Sequence, residues 1–278
     1  LGYVIDMFWG TSGTYLGVWI AVVISLLMTS VSYFQGDKVA LWSTGAKPLK
    51  KADNSYLYNM VENLCITAGL PVPKIYIIEE TAINAFATGR KPELASIAVT
   101  RGAIEKLENQ ELEGVIAHEL AHIKNYDIRF LTMVVVLVGS IAIMSDIFLR
   151  SQLFGFGRRN SDSRGQIGTL LAVIGIVVAL LSPIIAELIK MAISRKREYL
   201  ADASGSLLTR YPEGLASALE KIAAENQPMK RASRATAHLF FANPFGAKKN
   251  KKRPGKFASF FSTHPPVAER VKQLRQMA

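Results

Sequence analysis

Cysteine occurs once in the 278 residues, at Cys65. No disulfide framework can form within the chain, and a single thiol on an apolar helix reads as a buried, inert side chain. Histidine is almost as scarce, with His118, His122, His238 and His264 the full set. There is no internal repeat and no glycine-rich phosphate loop. Acidic residues are in deficit, 22 against 33 basic, which leaves a formal net charge of +11. So basic a chain raises nucleic acid as a partner. Yet no reading module accompanies the densest basic stretch, residues 246–256, which has six basic side chains among Gly, Asn and Pro. That stretch reads as a solvated loop, with contact to anionic lipid headgroups as the second reading.

Apolar surface is abundant. Half of the residues are hydrophobic and the mean hydropathy is +0.21 despite the charge, so charge and apolarity must be segregated along the chain. Residues 14–34 form an uncharged run of 21, long enough as a helix to span about 30 Å of hydrocarbon. Residues 130–145 are uncharged, and the pattern resumes after Asp146 as far as Leu149. Residues 166–186 form a third run, broken only by Pro183. A buried core helix is the alternative for each, and it is strongest for the second run. The first run is no secretory signal, since no basic segment precedes it and no cleavage site follows.

One five-residue stretch specifies a metal, a base and a geometry: His118-Glu119-Leu120-Ala121-His122. Helical positions four apart share a face, so both imidazoles can reach one ion. Glu119, rotated by roughly 100°, still lies beside that ion and can act on water there. A helix is expected over residues 110–125, with Asn109 as its cap and Leu112, Val115, Ile116, Leu120 and Ile123 as its buried stripe. By average composition such a match arises by chance in roughly one chain of this size in a hundred. A catalytic zinc usually takes three protein ligands. Glu198 and Asp202, also four apart, can supply the third ligand and the acceptor for a ligating histidine's outer N–H. An equally good reading of the spacing alone is a solvated helix whose carboxylates pair with Arg195 and Arg197.

Four stretches together resemble one family. They are His118-Glu-Leu-Ala-His122, the Glu198-x-x-x-Asp202 segment preceded by Ser194-Arg-Lys-Arg197, Asn84-Ala-Phe-Ala-Thr-Gly89, and Ser262-Thr-His-Pro-Pro266. They resemble the HtpX-type membrane zinc metalloproteases, relatives of the prenyl-protein (CAAX) endopeptidases, over about residues 14–277. The family usually carries four membrane segments where three apolar runs stand here. The chain also opens at Leu1 rather than Met, so an N-terminal segment is expected to be missing. The resemblance implies one zinc ion per chain, bound by His118, His122 and Glu198, with Asp202 orienting a ligand and Glu119 as general base. It implies quality control of damaged or misfolded membrane proteins, places Asn84 and Ala85 near the bound peptide, and brings His264 towards the site, stabilising an oxyanion. Without it, residues 84–89 are a turn before Gly89, and a lone histidine such as His264 is a packing residue. His238 has no motif around it and reads as structural.

Between the first two apolar runs, residues 52–68 read as a helix ending near Gly69, and residues 74–78 and 96–100 as strands. Residues 267–277 read as a last helix with Arg270 and Arg275 exposed. The fold class expected is a mostly α-helical integral membrane protein (α+β) with a zincin-like catalytic domain and a small β-sheet. Its parts would be an N-terminal membrane segment (1–36), the first part of the catalytic domain (37–128), a membrane hairpin (129–193) and the second part of the catalytic domain (194–278). His122 and Glu198 can meet only if the two intervening runs return the chain to one side. The excess of Lys and Arg puts that side in the cytoplasm of an inner (plasma) membrane, although the loop at 150–164 carries four arginines and one aspartate. The function expected is zinc-dependent endopeptidase action on polypeptides, membrane proteins above all. A dedicated prenyl-protein processing enzyme and a catalytically silent membrane scaffold are the alternatives.

Overall fold

Strand-forming runs of Ile and Val bounded by turn residues come out where the sequence places them, and the sheet they form divides the described core residues into two layers. The computed structural model describes residues 16–134, 136, 195–225, 227–233, 236–246 and 265–277. Helix α1 (Leu16–Thr44) leads into the two-residue strand β1 (Lys47–Pro48). Helix α2 (Ser55–Ala68) starts where the Asn54 side chain accepts from Leu57 N–H, at 3.0 Å, and ends at Gly69, whose left-handed backbone suits glycine. Strand β2 (Lys74–Ile78), strand β3 (Ala85–Thr88), a 3₁₀ turn (Pro92–Leu94) and strand β4 (Ser96–Thr100) follow. Helix α3 (Arg101–Lys106) and helix α4 (Asn109–Lys124) complete the first part. Helices α5 (Arg195–Thr209), α6 (Pro212–Glu225) and α7 (Val267–Arg275) form the second.

The sheet is mixed, in the order β1-β2-β4-β3. β2 and β4 run parallel, Lys74 opposite Ser96, while β1 and β3 lie antiparallel on the two edges. β4 is buried at every position, as a central strand must be when both faces are covered. Alternation then assigns its neighbours. Ile97 and Val99, with Ile75, Ala85 and Ala87, face a core built by α2, α4 and α6 through Leu57, Val61, Val115, Ile116, Leu120 and Leu215. Ala98, Phe86 and Ile78 face the other layer, made by Ala40 and Leu41 of α1, Leu131 and Val134, and Met229, Leu239 and Phe240. Burying a side chain such as Phe86 contributes about 1.5–3 kcal/mol.

Several expectations shift in detail. Within residues 84–89, Ala85–Thr88 form a buried edge strand rather than a turn. Helix α4 begins one residue early, and Asn109 does not cap it: the Glu111 carboxylate accepts from Glu108 N–H at 2.8 Å, which makes Glu108 the cap. α1 is 29 residues long, and many side chains along its apolar half lie outside the described residues; among those described, no helix is long and apolar enough to cross a membrane. The run at 166–186 and most of that at 130–149 lie outside the described residues, as does most of the basic stretch at 246–256.

Candidate metal centre

Helix α4 buries its whole expected stripe, with Leu112, Val115, Ile116, Leu120 and Ile123 in the core, and this fixes its rotation. His118 and His122 therefore project from one face, their rings edge to face at 4.7 Å and their Nε2 atoms 3.1 Å apart. Helix α5 crosses close against that face. Glu198 Oε1 lies 3.5 Å from His122 Nε2, and Oε2 lies 3.9 Å from His118 Nε2. All three residues are buried, and their ligand atoms fall within 4.8 Å of one another. Nitrogen and oxygen ligands tetrahedrally bound to one zinc at about 2.0–2.2 Å would sit about 3.3–3.6 Å apart, which the three spacings bracket. The donor set fits the ion.

What lies behind the rings fits it equally. Asp127 Oδ2 stands 3.1 Å from His122 Nδ1, and Asp202 Oδ1 stands 2.9 Å from His118 Nδ1, although that second approach is not aligned as a hydrogen bond. Each imidazole thus has a carboxylate at its far nitrogen, which directs the near nitrogen's lone pair inward. Each carboxylate has its own cation. Arg270 binds Asp202 through two N–H groups, at 2.8 and 2.6 Å, and Arg197 lies 3.4 Å from Asp127. Arg270 is 1% exposed and stacks 4.9 Å over Phe241, whose ring also meets His118 edge to face at 4.9 Å.

These partners set the charges. Burial pushes the His118 imidazole down to about 4, with Asp202 opposing. Burial works the same way at His122, but the Asp127 hydrogen bond and the charges of Glu198 and Glu119 outweigh it and hold that ring up to about 9. Glu119 is buried as well, and its charge acts on both His122 and Arg270, so its carboxylate faces the same space. The chain turns sharply into Asp127 at Tyr126, whose φ of 60° is unusual for a bulky residue. A backbone held there costs on the order of 1–3 kcal/mol, and the position it secures is that of the His122 partner.

The structure brings together His118, His122, Glu119, Glu198 and Asp202. Glu198 and Asp202 are buried rather than solvated, and Arg270 stands against both, 3.7 Å from Glu198 Oε2 and hydrogen-bonded to Asp202. Arg270, expected to be exposed, is buried with its guanidinium on Asp202. Asp127 and Arg270 are the site residues that the sequence reading passed over. Arg270 had a signal, since it lies within the apolar stripe of Val267, Val271 and Leu274 rather than off it. His264 lies outside the described residues. His238 is buried, with Nε2 3.1 Å from Leu131 carbonyl oxygen. Ala85 opens the edge strand beside α4 and Asn84 immediately precedes it, and segment 241–242 already engages both. The Asn84 amide donates to Ala242 carbonyl at 3.0 Å and accepts from Ala242 N–H at 3.1 Å, and Ala85 carbonyl accepts from Phe241 N–H at 2.8 Å.

A buried His-His-Glu donor set, with a carboxylate next to the first histidine on the same helix, defines a metallopeptidase. The chain belongs to peptidase family M48, whose model matches residues 51–278. It is 44% identical over 270 residues to a "Protease HtpX homolog" of Caldanaerobacter subterraneus subsp. tengcongensis, covering 97% of this chain and 86% of that protein. It is 45% identical over 269 residues to one from Tropheryma whipplei strain Twist, covering 96% and 88%. Among solved structures it resembles the crystal structure of S. mikatae Ste24p, with a TM-score of 0.54 at 19% identity. That match takes in 97% of this chain but spans only 60% of that protein, and it shows the fold alone. The protein is a metalloprotease.

Proposed function

We propose that the metal is zinc, one per chain, and that the protein is a membrane-embedded endopeptidase acting on misfolded or damaged membrane proteins, with Glu119 as general base. The observation that carries this reading is the buried trio of His118, His122 and Glu198, with both rings backed by carboxylates. Bound there, zinc would supply Lewis acidity towards water and the scissile carbonyl. His118, His122 and Glu198 hold it, and Asp202 and Asp127 keep the two rings oriented. Glu119 takes the proton from the attacking water and delivers it to the leaving amine. His264 is the proposed oxyanion donor. Family resemblance supports that role, and so does the short link from His264 to α7, which carries Arg270 into the site. Asn84 and Ala85, by holding segment 241–242 along β3, define the edge beside which an extended peptide lies.

The uncharged runs at 14–34 and 166–186, with the apolar run at 130–149 that only Asp146 interrupts, support a multi-pass protein of the inner (plasma) membrane with the site towards the cytoplasm. Quality-control substrates rest on the likeness to the HtpX homologs. Zinc analysis and casein cleavage in detergent test the core of this reading. Glu119→Gln keeps the shape and hydrogen-bonding reach of the side chain but cannot accept a proton. We expect full zinc content with cleavage lowered about 10²–10⁴-fold. Near wild-type turnover in zinc-loaded Glu119→Gln protein rejects Glu119 as the base. No turnover by zinc-loaded wild type on any unfolded substrate points instead to a scaffold.

A further inference from the structure

The layer on the opposite face of the sheet from the metal centre ends in a cavity. It has a volume of about 350 Å³ and opens between the C-terminal half of α1, the N-terminal ends of β2 and β4, and the turn that follows β3. Three cations line it, Lys38, Lys74 and Arg90, against one carboxylate, Asp37. Among the described residues none of the three cations forms an ion pair with a carboxylate. Arg90 is held flat. Its guanidinium lies 4.7 Å over the Phe34 ring and 5.6 Å over that of Tyr33, and the two rings meet edge to face at 5.1 Å. A guanidinium next to aromatic rings keeps N–H groups to offer a planar or tetrahedral oxyanion, since the rings attract its charge without accepting its hydrogen bonds in the plane.

The position of this cavity along α1 matters as much as its charge. Residues 16–34 carry no charge, and Asp37 and Lys38 are the first charged residues of the helix. On that apolar half Trp19, Val23, Leu27 and Phe34 are exposed by 66, 52, 60 and 55%, at spacings of four, four and seven that align them on one face. The stripe runs about 22 Å, more than the depth of about 15 Å of one leaflet, and ends at the cavity. Apolar surface, then an aromatic pair, then unpaired cations is the order met on moving from acyl chains through the interface to phosphate.

We propose that this cavity binds the phosphate headgroup of an anionic phospholipid, Arg90 and Lys38 meeting the phosphate while an acyl chain lies along the stripe from Trp19 to Phe34. A free phosphate would satisfy the cations but would leave the stripe uncovered. The proposal rests on the membrane part of the function proposed above and is independent of proteolysis.

The test uses the purified full chain, delipidated in mild detergent and titrated separately with phosphatidylglycerol and phosphatidylcholine, with bound lipid counted by native mass spectrometry. Wild type should retain phosphatidylglycerol in preference. Arg90→Gln with Lys38→Gln should weaken that lipid about 20–30-fold, at roughly fivefold per cation, and leave phosphatidylcholine unchanged. Lys74→Gln, at an exposed strand end, should cost about fivefold and serves where the double variant melts early. Lys51→Gln, at a surface pair with Glu62, should change nothing. Equal retention of the two lipids by wild type overturns the proposal, and so does undiminished phosphatidylglycerol binding in both cavity variants. Displacement of the lipid by equimolar inorganic phosphate overturns it in favour of a free-anion site. Failure of wild type to enter phosphatidylcholine nanodiscs removes the membrane reading and this proposal with it. Absent casein cleavage with the lipid preference intact upholds the proposal and rejects only the proteolytic reading.

Discussion

Asp202 receives two N–H groups of a buried arginine and faces the ring of His118, a proposed zinc ligand, so on the proposed site its removal and that of Glu198 should have different consequences. Glu198→Ala deletes a ligand atom, and zinc content should fall sharply. Asp202→Ala leaves all three ligands in place but frees the His118 ring and strands Arg270, so affinity or activity should fall about 10–100-fold with some zinc retained. Equal zinc content in wild type and Glu198→Ala, measured after gel filtration, contradicts the ligand assignment. Asp202 also makes the metal-free protein acid-sensitive. Burial alone would raise its carboxyl, but Arg270 and His118 outweigh that and hold it down from its ordinary 3.8 to about 2. As pH falls the unfolded chain takes up this proton first. The stabilisation is therefore complete above about pH 4 and is lost as pH drops towards 2, a change of about 2 kcal/mol. Urea titrations of chelator-treated protein should show that loss in wild type and not in Arg270→Met, which removes the guanidinium. Equal acid slopes in the two proteins would show that Arg270 does not hold the carboxyl down.

At the scale of elements, the site depends on how closely α5 approaches α4, and Gly205 sets that distance. A Cβ at 205 would stand 2.9 Å from His118 N and 3.1 Å from both Ala117 C and His118 Cα, backbone atoms that cannot turn aside. Gly205→Ala should push α5 away by a few tenths of an ångström, costing about 1–3 kcal/mol. Glu198, two turns earlier on the same helix, moves with it, so zinc affinity should fall as well. An unchanged urea midpoint together with unchanged zinc affinity in chelator competition shows that the helices do not pack so tightly. Nothing in the spacing of residues 195–209 announces this contact, whose partners lie some 90 positions away in the chain. Local signals were read well, because they are local: strands β2 and β4 run over the expected residues, and α2 ends at Gly69 as expected. The pattern around Asn84 failed for the opposite reason. Ala85 to Thr88 are buried and strand-paired to β4, and only that tertiary setting, with segment 241–242 on the free edge, makes a strand of them. The burial of Arg270 has a local sign in the stripe of Val267, Val271 and Leu274, but its partner Asp202, 68 positions away, does not.

For the whole molecule, the 3.5 Å between His122 and Glu198 is a statement about topology. Two apolar runs, at 130–149 and 166–186, separate them in sequence, and on the proposed multi-pass reading two crossings would return α5 to the side of α4. Lys47, Lys124 and Arg195 should then share the cytoplasmic side, with position 161 across the membrane. The four arginines of the sequence at 150–164 resist translocation. A shallow re-entrant hairpin removes the conflict by keeping that loop inside, and the Asp146 interruption of the second run favours such an arrangement. Lys47→Cys, Lys124→Cys and Ser161→Cys, each made in a Cys65→Ser background and probed on intact cells with a membrane-impermeant thiol reagent, separate the cases. Cys65 contributes little background in any event. It is buried, and burial together with the Glu62 charge pushes its thiol up to about 11, leaving little reactive thiolate at neutral pH. Labelling at 161 alone supports the spanning hairpin, and labelling nowhere until lysis supports the re-entrant form. Labelling at 124 on intact cells places the metal centre outside the cytoplasm and overturns the orientation, whatever becomes of the loop.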